Sequence, residues 1–72
     1  MVERIVIDPE ICHGKPTIRG TRIMVENILS LVEGGYNITK IVEYYPELSE
    51  EDVKSAIRYA RGIVQEEEII AI

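Results

Sequence analysis

The residue types that could do chemistry are concentrated between positions 11 and 22 of this chain. This stretch contains the only cysteine and the only histidine, Cys12 and His13, as neighbours. A Cys–His pair can form a nucleophile with its base, but only if the two side chains lie within hydrogen-bond reach. In an extended segment, adjacent side chains point to opposite faces. We therefore expect a buried Cys12 and a His13 that hydrogen-bonds the backbone, and no catalysis by either.

Other catalytic or metal-binding patterns are weak. Cys12 and His13 are two ligands, whereas structural zinc needs four. Gly14-Lys15 resembles part of a phosphate-binding loop, but Pro9 and Pro16 stand where that pattern requires Gly and Ser or Thr. No pair of carboxylates has a spacing typical of acid–base catalysis. The sequence therefore predicts a protein that is not an enzyme and has no metal or cofactor.

The same stretch carries three cations, Lys15, Arg19 and Arg22, and no acid. On an arm rich in Gly and Pro, these cations could contact nucleic acid or the acids of a partner. Alternatively, some of them fix the arm by bonding helix C-terminal carbonyls or nearby acids such as Glu26 or Asp8. Both can hold at once, and we expect a structural role for at least one arginine.

A second group of cations lies further along the chain. Lys54, Arg58 and Arg61 are spaced i, i+4 and i+7, so a helix presents them on one face. Such a face can contact successive phosphates or guanine edges. The alternative, which we favour, is a solvated face with Lys54 paired to Glu50, because the acids at 50–52 would repel phosphate from the start of the helix.

Length and composition limit the class of protein. The 72 residues include 46% hydrophobic and 29% charged residues, a composition typical of one globular domain. At this size, oligomerisation is a natural source of further stability. The net charge of −5 disfavours loose binding to nucleic acid. The absence of a signal-peptide or membrane-spanning pattern leads us to expect a cytoplasmic protein.

The charge is unevenly distributed along the chain. Residues 1–22 carry four basic and three acidic side chains, a balance of +1, whereas residues 23–72 carry four basic and ten acidic ones, a balance of −6. A local positive face on an acidic remainder is compatible with DNA binding.

A small β element is predicted to hold the first group of cations. Residues 4–7 are mostly β-branched and stop at Asp8-Pro9, which predicts a strand. Its predicted partner lies within residues 17–23, with Gly14 and Gly20 marking a turn and a bulge. Residues 1–23 would thus form an arm and residues 24–72 a three-helix unit, within a single domain 1–72.

Apolar periodicity predicts three helices in this unit. The first covers about residues 24–33 and ends at Gly34-Gly35. The second is capped by Asn37 and closed by Pro46. Buried stripes are predicted at Val25, Ile28, Leu29 and Val32 in the first helix, and at Ile38, Ile41, Val42 and Tyr45 in the second.

The third helix has the clearest start signal. Ser49 followed by Asp52 indicates a capping box, and Leu48 can pack on Val53 across the cap. The helix is predicted to run to about residue 68, with Gly62 as a weak point. Its predicted buried stripe is Val53, Ala56, Ile57, Ala60 and Val64.

Two features are candidates for protein interfaces. Tyr44 and Tyr59 lie off the apolar stripes of their helices. The apolar end Ile69–Ile72 follows three acids and would favour aggregation unless the core or a second subunit covers it. Together with the small size, this end leads us to expect a homodimer.

The run DPEICHGKPTIRGTRI at 8–23, followed by a helix, Gly35 and the run YPELS at 45–49 before a last helix, resembles the prokaryotic family known as domain of unknown function 433. The resemblance extends over nearly the whole chain. It implies a mainly α, homeodomain-like helix-turn-helix fold of three helices with a small N-terminal β element. The motif positions that it marks are Gly14, Lys15, Pro16, Arg19, Gly20, Thr21 and Arg22.

The resemblance also implies a class of function. Some members resemble antitoxins of type II toxin–antitoxin pairs, whose toxins are PIN-domain-like nucleases. We therefore expect a non-enzymatic, antitoxin-like homodimer that binds such a nuclease, with operator DNA left open as a second ligand. An acidic helical part suits the positive substrate cleft of a nuclease. The alternatives are a stand-alone helix-turn-helix DNA-binding regulator and a structural dimeric module.

Overall fold

A computed structural model describes residues 4–71, with side chains described for residues 4–65. Two short strands, β1 (Ile5–Val6) and β2 (Thr17–Ile18), precede three helices: α1 (Val25–Glu33), α2 (Ile38–Tyr44) and α3 (Glu50–Ala71). The predicted mainly α fold, with three helices and a small N-terminal β element, is confirmed. No helix within residues 4–71 combines the length and apolar content needed to span a bilayer.

The β element is a narrow antiparallel ribbon in which β2 has partners on both sides. Ile5 lies opposite Ile18 in the pairing of β1 with β2. On its other side, Thr17 forms a bridge with Met24. The Val25 N–H donates to the Pro16 carbonyl at 2.9 Å, so this second pairing leads directly into α1. The predicted pairing is therefore correct, but β2 covers only Thr17–Ile18, the start of the predicted second strand.

The helix ends follow the signals expected from local sequence. The α1 helix closes in a Schellman motif, with the Tyr36 N–H donating to the Leu31 carbonyl and the Gly35 N–H to the Val32 carbonyl, both at 3.0 Å. At the start of α2, the Asn37 side chain accepts a hydrogen bond from the Lys40 N–H at 2.9 Å. These contacts confirm the predicted end of the first helix and the predicted cap of the second.

A capping box begins α3, as predicted. The Ser49 N–H donates to Asp52 Oδ2 at 2.9 Å, and the Asp52 N–H donates to Ser49 Oγ at 3.2 Å. Each residue thus satisfies a backbone donor of the other. Leu48 and Val53, on either side of this cap, are both buried in the core.

The core lies where β2 and the three helices meet. Side chains from each of these elements are buried there: Ile18, Ile23, Val25, Ile28, Ile41, Leu48, Val53 and Ala56. Two predicted stripe positions, Val32 and Val64, are instead exposed. Val32 lies in the last turn of α1. Val64 lies eight residues beyond Ala56, the last fully buried core residue among the described side chains of α3, a helix whose 22 residues extend about 33 Å. The predicted apolar contact at Ile69–Ile72 lies outside the described side chains.

Candidate functional site

The basic loop of the motif is the tip of a hairpin. The Ile18 N–H donates to the Ile23 carbonyl at 3.0 Å, which closes the loop formed by residues 19–22. Within it, the Thr21 N–H donates to the Ile18 carbonyl at 3.0 Å. Gly20 is the third residue of that β-turn and has φ of 81°, the left-handed value that a type II turn requires there. Gly20 therefore belongs to a turn and not to the predicted bulge.

Thr21 fixes the shape of this loop with its side chain. Its hydroxyl donates to the Ile18 carbonyl at 2.9 Å and accepts a hydrogen bond from the Ile23 N–H at 3.0 Å. These bonds tie both ends of the hairpin to one side chain. The two arginines of the loop, Arg19 within the turn and Arg22 directly after it, are exposed. The loop thus carries both arginines on a backbone that several hydrogen bonds hold in place.

A left-handed turn precedes β2. Cys12, His13 and Gly14 have φ of 52°, 58° and 82°, and the turn is closed by the Gly14 N–H donating to the Ile11 carbonyl at 3.1 Å. Each non-glycine residue in this conformation costs about 1–2 kcal/mol. Strain of this kind persists only where the surrounding structure imposes it.

Because the segment is a turn and not extended, two expectations about it are wrong. Cys12 is only half-buried, and its Sγ donates to the Arg22 carbonyl at 3.6 Å, which ties the turn to the hairpin loop. His13 is exposed, and its side chain forms no hydrogen bond with the part of the chain that the structure describes. In residues 4–65 no three His, Cys, Asp or Glu side chains cluster closely enough to hold a metal ion.

Lys15 and Pro16 both contact the first turn of α1, Pro16 through its carbonyl, which accepts the Val25 N–H. The Lys15 Nζ lies 3.0 Å from Glu26 Oε1, in the first turn of α1. Glu26 was one of the two acids named as examples of partners for the arm's cations. The other, Asp8, is engaged locally, since its carboxylate accepts the Glu10 N–H at 2.9 Å. One motif cation therefore has a structural contact.

The predicted cation row on the third helix is present on α3. Lys54, Arg58 and Arg61 are all exposed. None of the three forms an ion pair with a side chain in residues 4–65, so the predicted Lys54–Glu50 pair is absent. The hairpin loop and the cation row lie on different elements, which are linked where Arg4, next to β1, contacts Asp52 in the first turn of α3.

A group of tyrosines forms a surface that the sequence only partly indicated. The ring centroids of Tyr36 and Tyr44 lie 6.2 Å apart and those of Tyr44 and Tyr45 lie 4.9 Å apart, both pairs edge to face. Tyr44, predicted as an interface residue, is exposed, whereas Tyr59 is half-buried and packs against the core. Tyr36 was missed because it precedes α2, and helical spacing carries no information about a residue outside the helix.

Comparison with known proteins places this arrangement in a family. A family model described as Protein of unknown function (DUF433) matches residues 5–60. The chain belongs to this family. The matched region runs from β1 into α3 and includes five of the six predicted contact cations, with Arg61 one position beyond it. The DUF433 resemblance of the sequence is thus confirmed.

Two further similarities extend this result. The chain is 33% identical over 60 residues to the uncharacterized protein y4eO of Sinorhizobium fredii (strain NBRC 101917 / NGR234), a match that covers 83% of this chain and 27% of that protein. It is also similar to the crystal structure of a DUF433 member protein from Anabaena variabilis ATCC 29413, with 31% identity and a TM-score of 0.76. That match covers 96% of this chain and 69% of the other. The small domain described here therefore spans about a quarter of the Sinorhizobium protein.

Proposed function

We propose that this DUF433 protein is a non-enzymatic, antitoxin-like homodimer that binds a PIN-domain-like nuclease and also binds operator DNA. In this proposal DNA contacts α3 and the hairpin loop, while the nuclease contacts an acidic part of the domain. Both ligands would be met in the cytoplasm of a prokaryote. The proposal combines the family resemblance with the distribution of charge on this chain.

The observation that carries the proposal is the exposed cation row Lys54, Arg58 and Arg61. All three side chains are exposed, and no described side chain forms an ion pair with any of them. Their spacing over two helical turns matches the need to reach several phosphates from one helix. The acids at the start of α3 were the argument against a phosphate contact there. One of them, Asp52, already accepts hydrogen bonds from Ser49 and Arg4, which weakens that argument.

The acidic charge of residues 23–72 supports the proposed contact with a nuclease. Residues 23–72 carry a balance of −6, which attracts a protein with a positive substrate cleft and speeds its association. An antitoxin that blocks a nuclease must cover that cleft, so acidic surface away from the cation row is what the role requires.

A gel-shift titration on the region upstream of the gene tests the DNA half. The triple variant Lys54→Ala, Arg58→Ala, Arg61→Ala is expected to bind at least about 100-fold more weakly at low salt. The matched comparison for one charge is Arg58→Ala against Lys40→Ala, since Lys40 is an exposed cation on α2. Equal affinity of the triple variant and the wild type would remove α3 from the DNA contact.

Coexpression with the protein encoded by the neighbouring gene tests the nuclease half. The proposal requires a complex that survives purification and a rescue of growth when that protein is toxic. Sedimentation of the protein alone tests the homodimer. DNA binding in the absence of any complex would instead favour a stand-alone regulator, which the same cation row on α3 supports.

A further inference from the structure

The tyrosine patch, which consists of Tyr36, Tyr44 and Tyr45, is the largest group of aromatic side chains in the described part of the chain. Tyr45 is half-buried and packs against the core, so it anchors the patch. Tyr44 lies edge to face on Tyr45 and on Tyr36, and its side chain is exposed over 58% of its surface. The two outer rings therefore pack in a row on an anchored inner ring.

Acidic side chains surround this patch along the chain. Residues 33–47 contain three glutamates, Glu33, Glu43 and Glu47, all exposed, and one lysine. That lysine, Lys40, already lies 4.0 Å from Glu43. A shallow depression lined by Gly34, Gly35, Tyr36 and Lys40 lies beside the rings. The region thus combines rigid aromatic surface with a net negative charge.

We propose that the tyrosine patch is the surface on which the partner protein docks, through arginine and lysine side chains of that partner. This inference rests on the proposed function, because it assumes a basic protein partner. Tyrosine contributes large contact area at little cost in conformational entropy and is enriched among residues that dominate binding energy. Guanidinium groups stack on tyrosine rings and pair with carboxylates, so an arginine-rich surface fits both features of the patch.

The charge of the region favours a protein over a nucleic acid as the occupant. Tyrosine rings can also stack on unpaired bases, but single-strand binding sites combine such rings with a positively charged groove. Here the rings are accompanied by carboxylates, which repel phosphates. The cations that suit DNA lie elsewhere, on α3 and the hairpin loop. The two proposed ligands thus use different surfaces of the domain.

Two pairs of matched variants test the assignment with the coexpressed neighbouring gene product as the probe. Tyr44→Ser and Val64→Ser each remove an exposed apolar side chain, exposed over 58% and 59% of its surface, on α2 and α3 respectively. Glu47→Lys and Glu51→Lys each reverse one exposed acid, beside the patch and at the start of α3. Tyr44→Ser and Glu47→Lys are expected to raise the Kd about tenfold or more, and the two controls to change it less than about threefold.

Thermal unfolding of each variant checks that the fold is kept, and Glu47→Lys keeps the test valid should Tyr44→Ser fail to fold. If the wild type binds and both patch variants bind equally well, the docking assignment alone is wrong. The assignment is also wrong if only Val64→Ser weakens the complex, or if Tyr44→Ser weakens binding of a labelled oligothymidylate. If the wild type forms no complex with the neighbouring gene product, the proposed function fails and the docking surface fails with it.

Discussion

The guanidinium of Arg4 donates a hydrogen bond to Asp52 Oδ1 at 3.0 Å, which joins two residues 48 positions apart in the chain. The other carboxylate oxygen of Asp52 accepts the Ser49 N–H in the capping box of α3. A single carboxylate, only 16% exposed, therefore caps the longest helix and anchors the end of the ribbon to it. This contact is one of those that hold the arm, residues 1–23, to the three-helix unit.

Asp52 should make stability depend on pH in acid. Partial burial by itself would raise the pKa of Asp52, but the hydrogen bonds from Ser49 and Arg4 outweigh it and lower the pKa below its ordinary value of 3.8. Since the pKa is lower in the folded state, the carboxylate stabilises the fold above about pH 4 and loses that effect as the pH falls through the folded-state pKa.

We therefore expect Asp52→Asn to lower the free energy of unfolding by about 1–3 kcal/mol at pH 7 and by clearly less near pH 2. Urea unfolding at a series of pH values measures this difference. Glu51→Gln, which neutralises an exposed neighbour in the same helical turn, is the control and should show a much smaller effect. If Asp52→Asn lowered the free energy of unfolding by the same amount at pH 7 and at pH 2, the stabilising role assigned to the Asp52 carboxylate would be wrong.

The cation row on α3 should be visible in the salt dependence of DNA affinity. Each phosphate contact that is lost reduces the slope of log K against log salt by about 0.9. We expect that reduction for each of Lys54→Ala, Arg58→Ala and Arg61→Ala, measured by fluorescence anisotropy between about 50 and 200 mM salt. Lys40→Ala should leave the slope unchanged, and an equal reduction with Lys40→Ala would indicate a general charge effect.

The ion pair between Lys15 and Glu26 should contribute little to stability. Both side chains are more than half exposed, at 54% and 58%, so water screens the interaction. Lys15→Gln is expected to change the free energy of unfolding by less than about 0.5 kcal/mol in urea titrations. Glu26→Gln, the matched change of the partner, should behave alike. A loss above about 1 kcal/mol for either variant would mean that the pair positions the arm.

The helices could be predicted from the sequence because their signals are local. Asn37 caps α2, and Ser49 with Asp52 caps α3, through contacts no more than three residues apart. The apolar period indicated which face of each helix turns inward. It could not indicate how far the core extends, and for this reason Val32 and Val64 were wrongly expected to be buried.

The arm, residues 1–23, was harder to predict because its geometry depends on contacts between distant segments. Residue type gives no sign of the left-handed conformation of Cys12 and only a weak one for His13, since glycine is the residue that readily adopts positive φ. The contact of Arg4 with Asp52 likewise depends on how the ribbon packs on α3. The sequence suggested Glu26 and Asp8 only as examples of acids that the arm's cations could bind, and the structure pairs Glu26 with Lys15 while Asp8 accepts the Glu10 N–H.

Gly20 and Gly62 allow the effect of backbone conformation on stability to be measured without a contribution from steric clashes. A Cβ built at Gly20 or at Gly62 meets no other heavy atom within 4 Å, so neither substitution by alanine causes a clash. Gly20 has φ of 81° in the hairpin loop, where alanine is strained, whereas Gly62 lies inside α3, where alanine is favoured. We expect Gly20→Ala to destabilise the protein by about 1–2 kcal/mol and Gly62→Ala to stabilise it by up to about 1 kcal/mol.

Urea unfolding of the two single variants and of the double variant measures these effects. The sites share no contact, so the double variant should equal the sum of the two within about 0.5 kcal/mol. A stabilising effect of Gly20→Ala would mean that the loop relaxes away from its left-handed turn. In that case the loop backbone would not hold Arg19 and Arg22 in place, and the proposed DNA contact of the loop would be wrong. The proposed contact of the cation row on α3 would be unaffected.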